Sequence, residues 1–511
     1  MARLKPEDFA PIFYPQSVAV IGASSDLDKF GGRMLMALKE FGYKGRLYPV
    51  NPREQEIFGL KAYPSIDEIP GLVELAVVGV PAPAVPGALR QCLARGVRAA
   101  EILSSGFAET GREEGQRLEA ELRKIACDGL RIIGPNCFGV YCPAGGLTIL
   151  PGPDFPRESG QVAFMSQSGG FAARIGQLAR AWGVRFSKMV SYGNACDINE
   201  VDLLEYFAHD PETRIIMAYI EGVTDGRRFL DAVRKVSLTK PVVIWKAGLT
   251  KAGSLAVSSH TASLGGEERV WEAFFKQSGA IRAHSLDELI DMAIAFLHLP
   301  PGIGLRMGLV GGGGGLGAEA CDACEKAGLS VPSLTPESLE RIRTLMPGAG
   351  TSIQNPVDVG TPFPKPDFLR SVLEVVASDS NVDVVLLSEF VLFGWTIFPL
   401  FPPEKSEQLG EEMRRVPRII KEGFGKPVVV VQPRFPGEVE MLHLEKESRR
   451  TRDYCLEAGI PVYPSIERAA NAVAEVTQYY GRVARLIASD PSGQDNRLAR
   501  FAISRRFRKL S

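Results

Sequence analysis

Short apolar segments that end in glycine, serine, asparagine or proline, and then lead into a helical pattern, recur along the whole chain. Examples are residues 17–24 (SVAVIGAS), 74–81 (ELAVVGVP) and 381–390 (NVDVVLLSEF). An alternation of strands with helices is typical of layered α/β folds, because each crossover helix covers one face of a parallel sheet. The sequence therefore predicts an α/β protein that contains several parallel sheets.

The strand–helix units fall into three blocks, and the 511 residues are enough for about three or four domains. Gly- and Pro-rich stretches follow the first and second blocks, at residues 142–160 and 298–304. We therefore predict three consecutive α/β domains and a basic C-terminal tail, at residues 1–145, 146–300, 301–490 and 491–511.

The composition is that of an ordinary globular protein, with 45% hydrophobic and 23% charged residues. A net charge of −1 gives no overall field that would attract nucleic acid or a membrane surface. No uninterrupted apolar run reaches the roughly 18 residues of a membrane span, and no secretory signal is visible. The eight cysteines show no spacing typical of a disulfide framework. We expect a cytoplasmic protein with reduced thiols and no nucleic-acid or membrane partner.

The first strand leads through Gly22-Ala23-Ser24 into a helical segment. A helix that starts directly after a strand points backbone N–H groups at a phosphate. The spacing is not G-x-G-x-x-G, and the second strand ends at Asn51, where a NAD-binding unit usually has an acidic residue. Both features disfavour NAD and leave the nature of the ligand open.

Three further strand ends of the first block carry small or polar residues. They lie at Val80-Pro81, at Ser105 and at Asn136. Ligands of open α/β sheets bind beyond the carboxyl ends of the strands, so these ends together predict one ligand crevice. Taken singly, each glycine or proline among them is explained equally well by a tight turn.

Two glycine-rich turns are candidates for holding a phosphate. Residues 166–170 (Ser166, Gln167, Ser168, Gly169 and Gly170) lie between a predicted strand and helix, where free N–H groups and the helix dipole favour an anion. An ordinary serine N-cap would also explain this turn. The five glycines at 311–315, with Gly312, Gly313 and Gly314 at their centre, cost folding entropy and indicate close approach of the backbone to a ligand. Two such helix starts on one phosphate would hold it without a lysine.

His260 lies in a segment of small residues, 246–266, that has no periodic apolar face and is therefore predicted to be a movable loop. A histidine in a loop is usually only a surface residue, but a neutral imidazole can attack phosphorus. Glu221 ends a predicted strand and is placed to accept a hydrogen bond from the ring or, alternatively, to cap a turn. Asp197 and Asp202 are interpreted as supports of a helix, and the Cys321-x-x-Cys324 pair as core packing.

The segments IGAS, NP, GVPA, SSGFAETG and IIGPNC occur in this order and resemble the CoA-binding domain of succinyl-CoA synthetase α subunits. Residues 258–263 (SSHTAS) resemble the phosphohistidine motif of ADP-forming acetyl-CoA synthetases, with Ala262 where glycine is common. The resemblance covers almost the whole chain. It implies a Rossmann-like CoA-binding domain followed by two flavodoxin-like domains, a phosphorylated His260 and a Glu221 that orients it. The CoA contacts that it implies are Gly22, Ala23, Ser24, Asn51, Val80, Pro81, Ser105 and Asn136.

The same resemblance implies the CoA-binding subunit of an NDP-forming acyl-CoA synthetase, which interconverts acyl-CoA, ADP and phosphate with a carboxylic acid, CoA and ATP. The chain has no G-x-x-x-x-G-K-[ST] segment and no segment that resembles an ATP-grasp domain. A separate ATP-grasp β subunit that holds ATP or ADP and Mg²⁺ is therefore expected, in an α2β2 assembly or around a homodimer core. No metal site is expected in this chain. The alternatives are another CoA-linked acyltransferase or lyase subunit, a non-catalytic CoA-binding protein and, third, a dehydrogenase.

Overall fold

The structure, a computed structural model, describes residues 4–148, 155–261, 267–346, 352–360, 365–388, 402–433 and 442–489. The described residues contain three large sheets, and the chain divides into two compact units, Met1–Leu289 and Ile290–Ser511. The predicted α/β class is confirmed. The basic tail at 491–511 lies outside the described residues.

The first sheet of the first unit is entirely parallel. Its strands are β1 (Ser17–Ile21), β2 (Arg46–Val50), β5 (Leu75–Val78), β6 (Ala99–Ile102) and β7 (Arg131–Ile133). Between β2 and β5 the chain forms a separate antiparallel hairpin of β3 (Glu56–Ile57) and β4 (Leu60–Lys61). The strand order in the sheet is β2-β1-β5-β6-β7. Strands β1 and β5 are buried along their whole length, as expected where helices cover both faces of a parallel sheet.

The second sheet of this unit has six strands. They are β8 (Gly139–Tyr141), β9 (Val162–Ser166), β10 (Phe186–Ser191), β11 (Ile215–Ile220), β12 (Val242–Lys246) and β13 (Ile281–Ala283). The order is β13-β12-β11-β9-β10-β8, and only the edge strand β8 runs antiparallel to its neighbour in the described sheet. One apolar core, which includes Phe13, Val20, Val190 and Phe207, joins both sheets into one unit.

Ten α-helices among the described residues begin in the first unit. They are α1 (Ala10–Phe13), α2 (Phe30–Phe41), α3 (Val85–Ala94), α4 (Glu113–Cys127), α5 (Gly169–Ala181), α6 (Glu200–His209), α7 (Gly226–Val236), α8 (Lys251–Thr261), α9 (Glu268–Ser278) and α10 (Leu286–His298). Helix α10 continues into the second unit.

The second unit contains the third sheet, with strands β14 (Met307–Gly311), β15 (Val357–Asp358), β16 (Val384–Ser388), β17 (Val428–Val431) and β18 (Val462–Tyr463). This sheet is parallel, in the order β15-β14-β16-β17-β18. The described helices that begin in the second unit are α11 (Gly314–Lys326), α12 (Pro336–Leu345), α13 (Pro366–Ser378), α14 (Pro403–Phe424), α15 (Leu442–Glu457) and α16 (Ile466–Ser489).

All three sheets have the same topology. Counted along the chain, the parallel strands of each sheet lie side by side in the order 2-1-3-4-5, which is the flavodoxin-like variant of the doubly wound fold. Ligands of this fold bind where the strand order reverses, beyond the carboxyl ends of the first and third strands. The topology therefore selects three places for a site: the ends of β1 and β5, of β9 and β11, and of β14 and β16.

The segment that carries His260 is helical, where the sequence predicted a loop. Helix α8 begins after Thr250, whose Oγ1 accepts a hydrogen bond from the Gly253 N–H at 3.0 Å. A loop was predicted because the segment lacks apolar periodicity. A short helix rich in alanine and serine does not need that periodicity: moderate helix propensity and a neighbouring element to pack against are enough. That neighbour is the 3₁₀ helix Ala108–Thr110. The side chain of His260 lies outside the described residues.

No helix in the described ranges combines the length and the apolar character that crossing a membrane requires.

Candidate functional site

A cleft of about 880 Å³ opens in the first unit, at carboxyl ends of strands from both of its sheets. This volume is within the roughly 300–1,000 Å³ that is typical of sites for small molecules and cofactors. Nine of the residues predicted to form a site line this one cleft: Gly22, Val80, Pro81, Ser105, Asn136, Gln167, Ser168, Gly169 and Gly170. The structure thus brings the predicted CoA turns and the first predicted phosphate turn together.

Three other residues predicted to contact CoA lie behind the first turn and are absent from the lining of this cleft. Asn51 Nδ2 donates to the carbonyl oxygen of Ala23 at 2.7 Å and to Glu54 Oε1 at 3.1 Å. Ser24, which is buried, donates to the same Glu54 oxygen at 3.2 Å. Hydrogen bonds from Ser25 hold the pKa of Glu54 below its usual value. These side chains support the turn from behind.

The lining also includes residues that the sequence analysis did not single out, above all Lys29, Phe30 and Phe138. Lys29 is the residue that precedes helix α2, so its ammonium group and the helix N-terminus both favour an anion there. The rings of Phe30 and Phe138 lie 5.6 Å apart. In the sequence, a lysine directly before the Phe-Gly-Gly that begins a helix was the signal that could have identified the Lys29–Phe30 side of the cleft. Together these groups suit a ligand with both phosphates and an apolar or aromatic portion.

The turn between β9 and α5 has a defined internal structure. Ser166 is fully buried, and its Oγ donates to the carbonyl oxygen of Ser168 at 2.7 Å. Ser168 caps helix α5, since its side chain accepts a hydrogen bond from the Phe171 N–H. Ser166 therefore shapes the turn from within, whereas Gly169 and Gly170 form the first turn of α5. The N–H groups of a first helical turn have no acceptor within the helix and are available to an anion.

Glu221 follows β11 and is only 6% exposed. Its backbone N–H donates to Gln167 Oε1 at 2.5 Å, and the Gly222 N–H donates to the same oxygen at 2.9 Å. Its carbonyl oxygen accepts from Lys246 Nζ at 2.8 Å. Burial lowers the pKa of Lys246 to about 8, although the nearby Glu221 carboxylate acts in the opposite direction. Lys246, a lysine at the end of an apolar strand, was not predicted from the sequence.

The glycine run of the third sheet lies in the second unit. Gly313 adopts a φ of 95° and donates its N–H to Asp358 Oδ1 at 2.9 Å, and helix α11 begins at Gly314. Gly313 and Gly314, but not Gly312, line a cavity of about 200 Å³ at the ends of β14 and β16. That two helix starts meet on one phosphate stays a prediction.

The residues interpreted as structural are confirmed in part. Asp202 completes a capping box at the start of α6 with Asn199, as expected of a helix support. Asp197 instead accepts from the Ile132 N–H of strand β7 at 2.9 Å. Cys324 is fully buried within α11, whereas Cys321 is only partly buried and lines the cavity at the ends of β14 and β16. In the described ranges, no group of three or more His, Cys, Asp and Glu side chains is arranged to hold a metal ion.

Comparison with known families assigns both sheets of the first unit. A family model described as a CoA binding domain matches residues 16–143. A second model, described as the succinyl-CoA ligase like flavodoxin domain, matches residues 159–296. The cleft lies where these two matched regions meet in space.

Individual relatives extend the match over nearly the whole chain. The α subunit of acetate–CoA ligase [ADP-forming] II from Pyrococcus furiosus is 38% identical over 91% of this chain and 96% of its own length. Acetate–CoA ligase [ADP-forming] I from Archaeoglobus fulgidus is 40% identical, but the match covers 73% of this chain and only 54% of that longer protein. Among solved structures, acetyl-coenzyme A synthetase 1 of Ca. Korarchaeum cryptofilum, in complex with phosphate and ADP, matches with a TM-score of 0.77 and 32% identity, covering 95% of this chain and 99% of that one. The chain belongs to the family of ADP-forming acetate–CoA ligase α subunits.

Proposed function

We propose that this chain is the subunit that binds CoA and carries the phosphoryl group in an ADP-forming acyl-CoA synthetase. The enzyme interconverts acyl-CoA, ADP and phosphate with a carboxylic acid, CoA and ATP. The observation that carries the proposal is the cleft of the first unit, in which turns suited to a CoA-like ligand and the turn Gln167–Gly170 share one lining. Helix α8, which carries His260, packs against Ala108–Thr110, close in sequence to the lining residue Ser105.

CoA would occupy the part of the cleft formed by the first sheet. Lys29 and the start of α2 would bind its phosphates, and the backbone of Gly22 permits close approach. Val80, Pro81, Ser105 and Asn136 would line the path of the remainder of the molecule, including its thiol arm. Ala23, Ser24 and Asn51 would act indirectly, because their observed contacts hold the turn that Gly22 belongs to.

The phosphate would lie on the first turn of α5, at Ser168, Gly169 and Gly170. One of its oxygens attacks the thioester carbonyl carbon, the carbon–sulfur bond breaks, and CoA leaves as a thiolate that takes up a proton. The product is an acyl phosphate. Both this compound and the thioester react with water, so a partly enclosed cleft favours transfer over hydrolysis.

His260 would then take the phosphoryl group. Its unprotonated ring nitrogen attacks phosphorus, the bond from phosphorus to the acyl oxygen breaks, and the carboxylate leaves. Glu221 would accept a hydrogen bond from the N–H of the other ring nitrogen and so select the reactive tautomer. Gly312, Gly313 and Gly314, at the start of α11, are proposed as a second phosphate-binding turn. An oxygen of ADP finally attacks phosphorus, which breaks the phosphorus–nitrogen bond and forms ATP.

The nucleotide would be held by a separate β subunit. Relatives named as α subunits match 91–92% of this chain and 96–97% of their own length. The A. fulgidus ligase, which is not named as a subunit, is nearly twice the length of its matched part. This difference in length supports a partner that supplies the missing half. We propose that the partner has an ATP-grasp fold, binds ADP or ATP with Mg²⁺, and assembles with this chain as α2β2.

The proposal is tested by incubating the purified chain with radiolabelled phosphate and a panel of acyl-CoA thioesters that differ in acyl size and polarity. We expect an acid-labile, base-stable label that requires one of the thioesters and is absent in His260→Asn, while CoA affinity is unchanged. A label that persists in His260→Asn would overturn the assignment of the carrier. CoA binding without any label from the whole panel would overturn the synthetase function and favour a non-catalytic CoA-binding protein.

A further inference from the structure

Lys246 is a buried charged residue for which the mechanism above has no role. It ends β12 beside Ile220 of β11, so it lies next to the residue that precedes Glu221. Only 4% of Lys246 is exposed. Its Nζ donates to the carbonyl oxygens of Glu221, at 2.8 Å, and of Ala247, and it lies 5.1 Å from the ring centre of Trp271. An ammonium group has three N–H bonds, and the two carbonyl oxygens and the aromatic face provide one partner for each.

The peptide groups on both sides of Glu221 are held from two different strands. Gln167, at the end of β9, accepts from the N–H groups of Glu221 and Gly222, whereas Lys246, at the end of β12, donates to the Glu221 carbonyl oxygen. Strand β11 lies between β9 and β12 in the sheet. Fixing both peptide planes fixes the direction of the Cα–Cβ bond, and with it the direction in which the carboxylate leaves the backbone.

The charge of Lys246 has a second consequence. Glu221 is buried, and an ionised carboxylate is costly to bury unless a positive charge compensates it. Phosphorylation of a neighbouring side chain would add close to two further negative charges. Lys246 is a cation that interacts with the Glu221 carboxylate from a position that it cannot easily leave, since both of its carbonyl partners belong to the backbone.

We propose that Lys246 is a positioning residue of the phosphoryl-transfer site: it fixes the backbone of Glu221 and offsets the negative charge of its carboxylate, so that this carboxylate stays ionised and accepts the ring N–H of His260 while the other ring nitrogen carries the phosphoryl group. This inference rests on the proposed phosphohistidine function and deepens it. Gln167 completes the arrangement from the opposite strand.

The groups that surround Lys246 define the pH range of the effect. Glu221 faces it from the position directly after β11, and the uncharged ring of Trp271 faces it from α9. Tyr192 and Tyr219 also interact with the Glu221 carboxylate, but burial raises the pKa of both, to about 12 for Tyr219, so they stay neutral near pH 8. Lys246, with its pKa lowered by burial to about 8, loses its charge first as the pH rises. The rate of histidine phosphorylation should therefore fall above about pH 8.

The experiment compares Lys246→Met, which keeps the linear stem and removes charge and donors, with Lys246→Arg, which keeps both. The matched control is Lys240→Met, because Lys240 Nζ also donates to two backbone carbonyl oxygens, those of Phe207 and Asp210, each at 2.7 Å. For each variant the single-turnover rate of His260 labelling is measured from pH 6 to 9, together with the CoA dissociation constant and the melting temperature.

We expect Lys246→Met to slow labelling on the order of ten-fold or more at pH 7, to lose the fall above pH 8 and to leave CoA affinity unchanged. Lys246→Arg should recover part of the rate and keep it constant up to pH 9. Lys240→Met should lower the melting temperature without changing the pH profile.

A wild-type rate and pH profile in Lys246→Met would overturn the inference, as would an arginine variant no faster than the methionine variant. If Lys246→Met does not fold, the inference is tested with the arginine variant and a double-mutant cycle between Lys246→Arg and Glu221→Gln. The change that Lys246→Arg causes in the labelling rate must then disappear when Glu221 is already replaced. A wild-type chain that is never labelled would instead contradict the proposed function itself, and the role of Lys246 would fall with it.

Discussion

A methyl group added to Gly31 would lie 2.1 Å from the carbonyl oxygen of Gly22. Gly22 forms the turn after β1 and lines the cleft, and Gly31 belongs to the first turn of α2. A methyl group on Gly79, the residue after β5 that also lines the cleft, would in turn lie 3.4 Å from the Gly31 backbone nitrogen. Helix α2 thus rests on the backbone of the two strand ends where the sheet order reverses.

Replacing Gly31 by alanine should therefore damage the cleft. The new methyl group would meet a backbone oxygen, which cannot rotate away, so α2 and the turn at Gly22 must separate. We expect CoA affinity to fall about ten-fold or more, with a lower melting temperature, because the CoA phosphates are proposed to bind at this helix start. Isothermal titration with CoA and thermal unfolding measure both effects.

Gly87→Ala is the matched control, since Gly87 lies in helix α3 and a methyl group there has no neighbour within 4 Å. It should raise stability by about 0.5–1 kcal/mol, the usual gain of alanine over glycine in a helix, and leave CoA binding unchanged. A Gly31→Ala protein that binds CoA as tightly as Gly87→Ala would contradict the placement of CoA at this helix start.

A second prediction concerns Asn194, in the turn after β10. Its Nδ2 donates to Glu109 Oε2 at 2.6 Å and to Glu119 Oε2 at 2.9 Å. Glu109 in turn accepts from the N–H groups of Gly106 and Phe107, directly after the lining residue Ser105. Asn194→Asp would remove both donors and bring a third carboxylate to the same place. The turn at Ser105 should then move, and we expect CoA affinity to fall about ten-fold at pH 7.

Asn199→Asp tests whether any new carboxylate in this part of the chain has the same effect. Asn199 caps helix α6 through its Oδ1, which accepts from the N–H groups of Val201 and Asp202. Aspartate is as good an N-cap as asparagine, so this variant should fold and bind CoA normally. Equal CoA affinity of both variants, measured by titration under identical conditions, would refute a role of Asn194 in holding the turn.

The strands and their turns were predictable because a parallel strand that is buried on both faces needs a continuous apolar run, as in β1 and β9. The cleft followed from a general rule, since the carboxyl ends of such strands meet at one edge of a sheet. What the sequence could not provide is register. That Lys246 lies beside Ile220, and hence next to Glu221, depends on the pairing of β11 with β12, which no local pattern encodes.

Local patterns also do not show which residues serve their own turn. Asn51 was predicted to contact the ligand; in the structure its amide donates to Ala23 and Glu54, and these contacts appear only when the first two strand ends are seen together. A contact of Asn51 with CoA stays a prediction. Helix α8 was missed for a related reason. Its packing partner, Ala108–Thr110, lies more than a hundred residues earlier in the chain, so no pattern of neighbouring residues could reveal this contact.

Glu101 offers a prediction about stability and pH. This residue of β6 is 3% exposed, and burial raises its pKa from 4.5 to about 8, although a hydrogen bond from the Val140 N–H opposes the shift. Between these two pH values the folded chain keeps a proton that the unfolded chain releases. The free energy of unfolding should therefore fall as the pH rises from about 4.5 to about 8 and change no further above that range through this group.

Glu101→Gln has no proton to release, so its advantage over the wild type should grow through this window. We expect melting temperatures that are similar near pH 5 and several degrees higher for the variant at pH 8, measured by scanning calorimetry of the full chain. Parallel pH profiles of the two proteins would show that Glu101 is already ionised in the folded state.

The last prediction uses the two glycines that begin α5. A methyl group on Gly169 would lie 2.7 Å from the ring of Phe138, which also lines the cleft, whereas a methyl group on Gly170 would have no neighbour within 4 Å. Gly170→Ala should therefore fold normally and yet occupy open space where phosphate is proposed to bind. We expect a higher KM for phosphate and an unchanged CoA dissociation constant, whereas Gly169→Ala should impair both, because Phe138 must move. The measurements are acyl phosphate formation at varied phosphate and titration with CoA. An unchanged KM for phosphate in Gly170→Ala would contradict the placement of the phosphate on the first turn of α5.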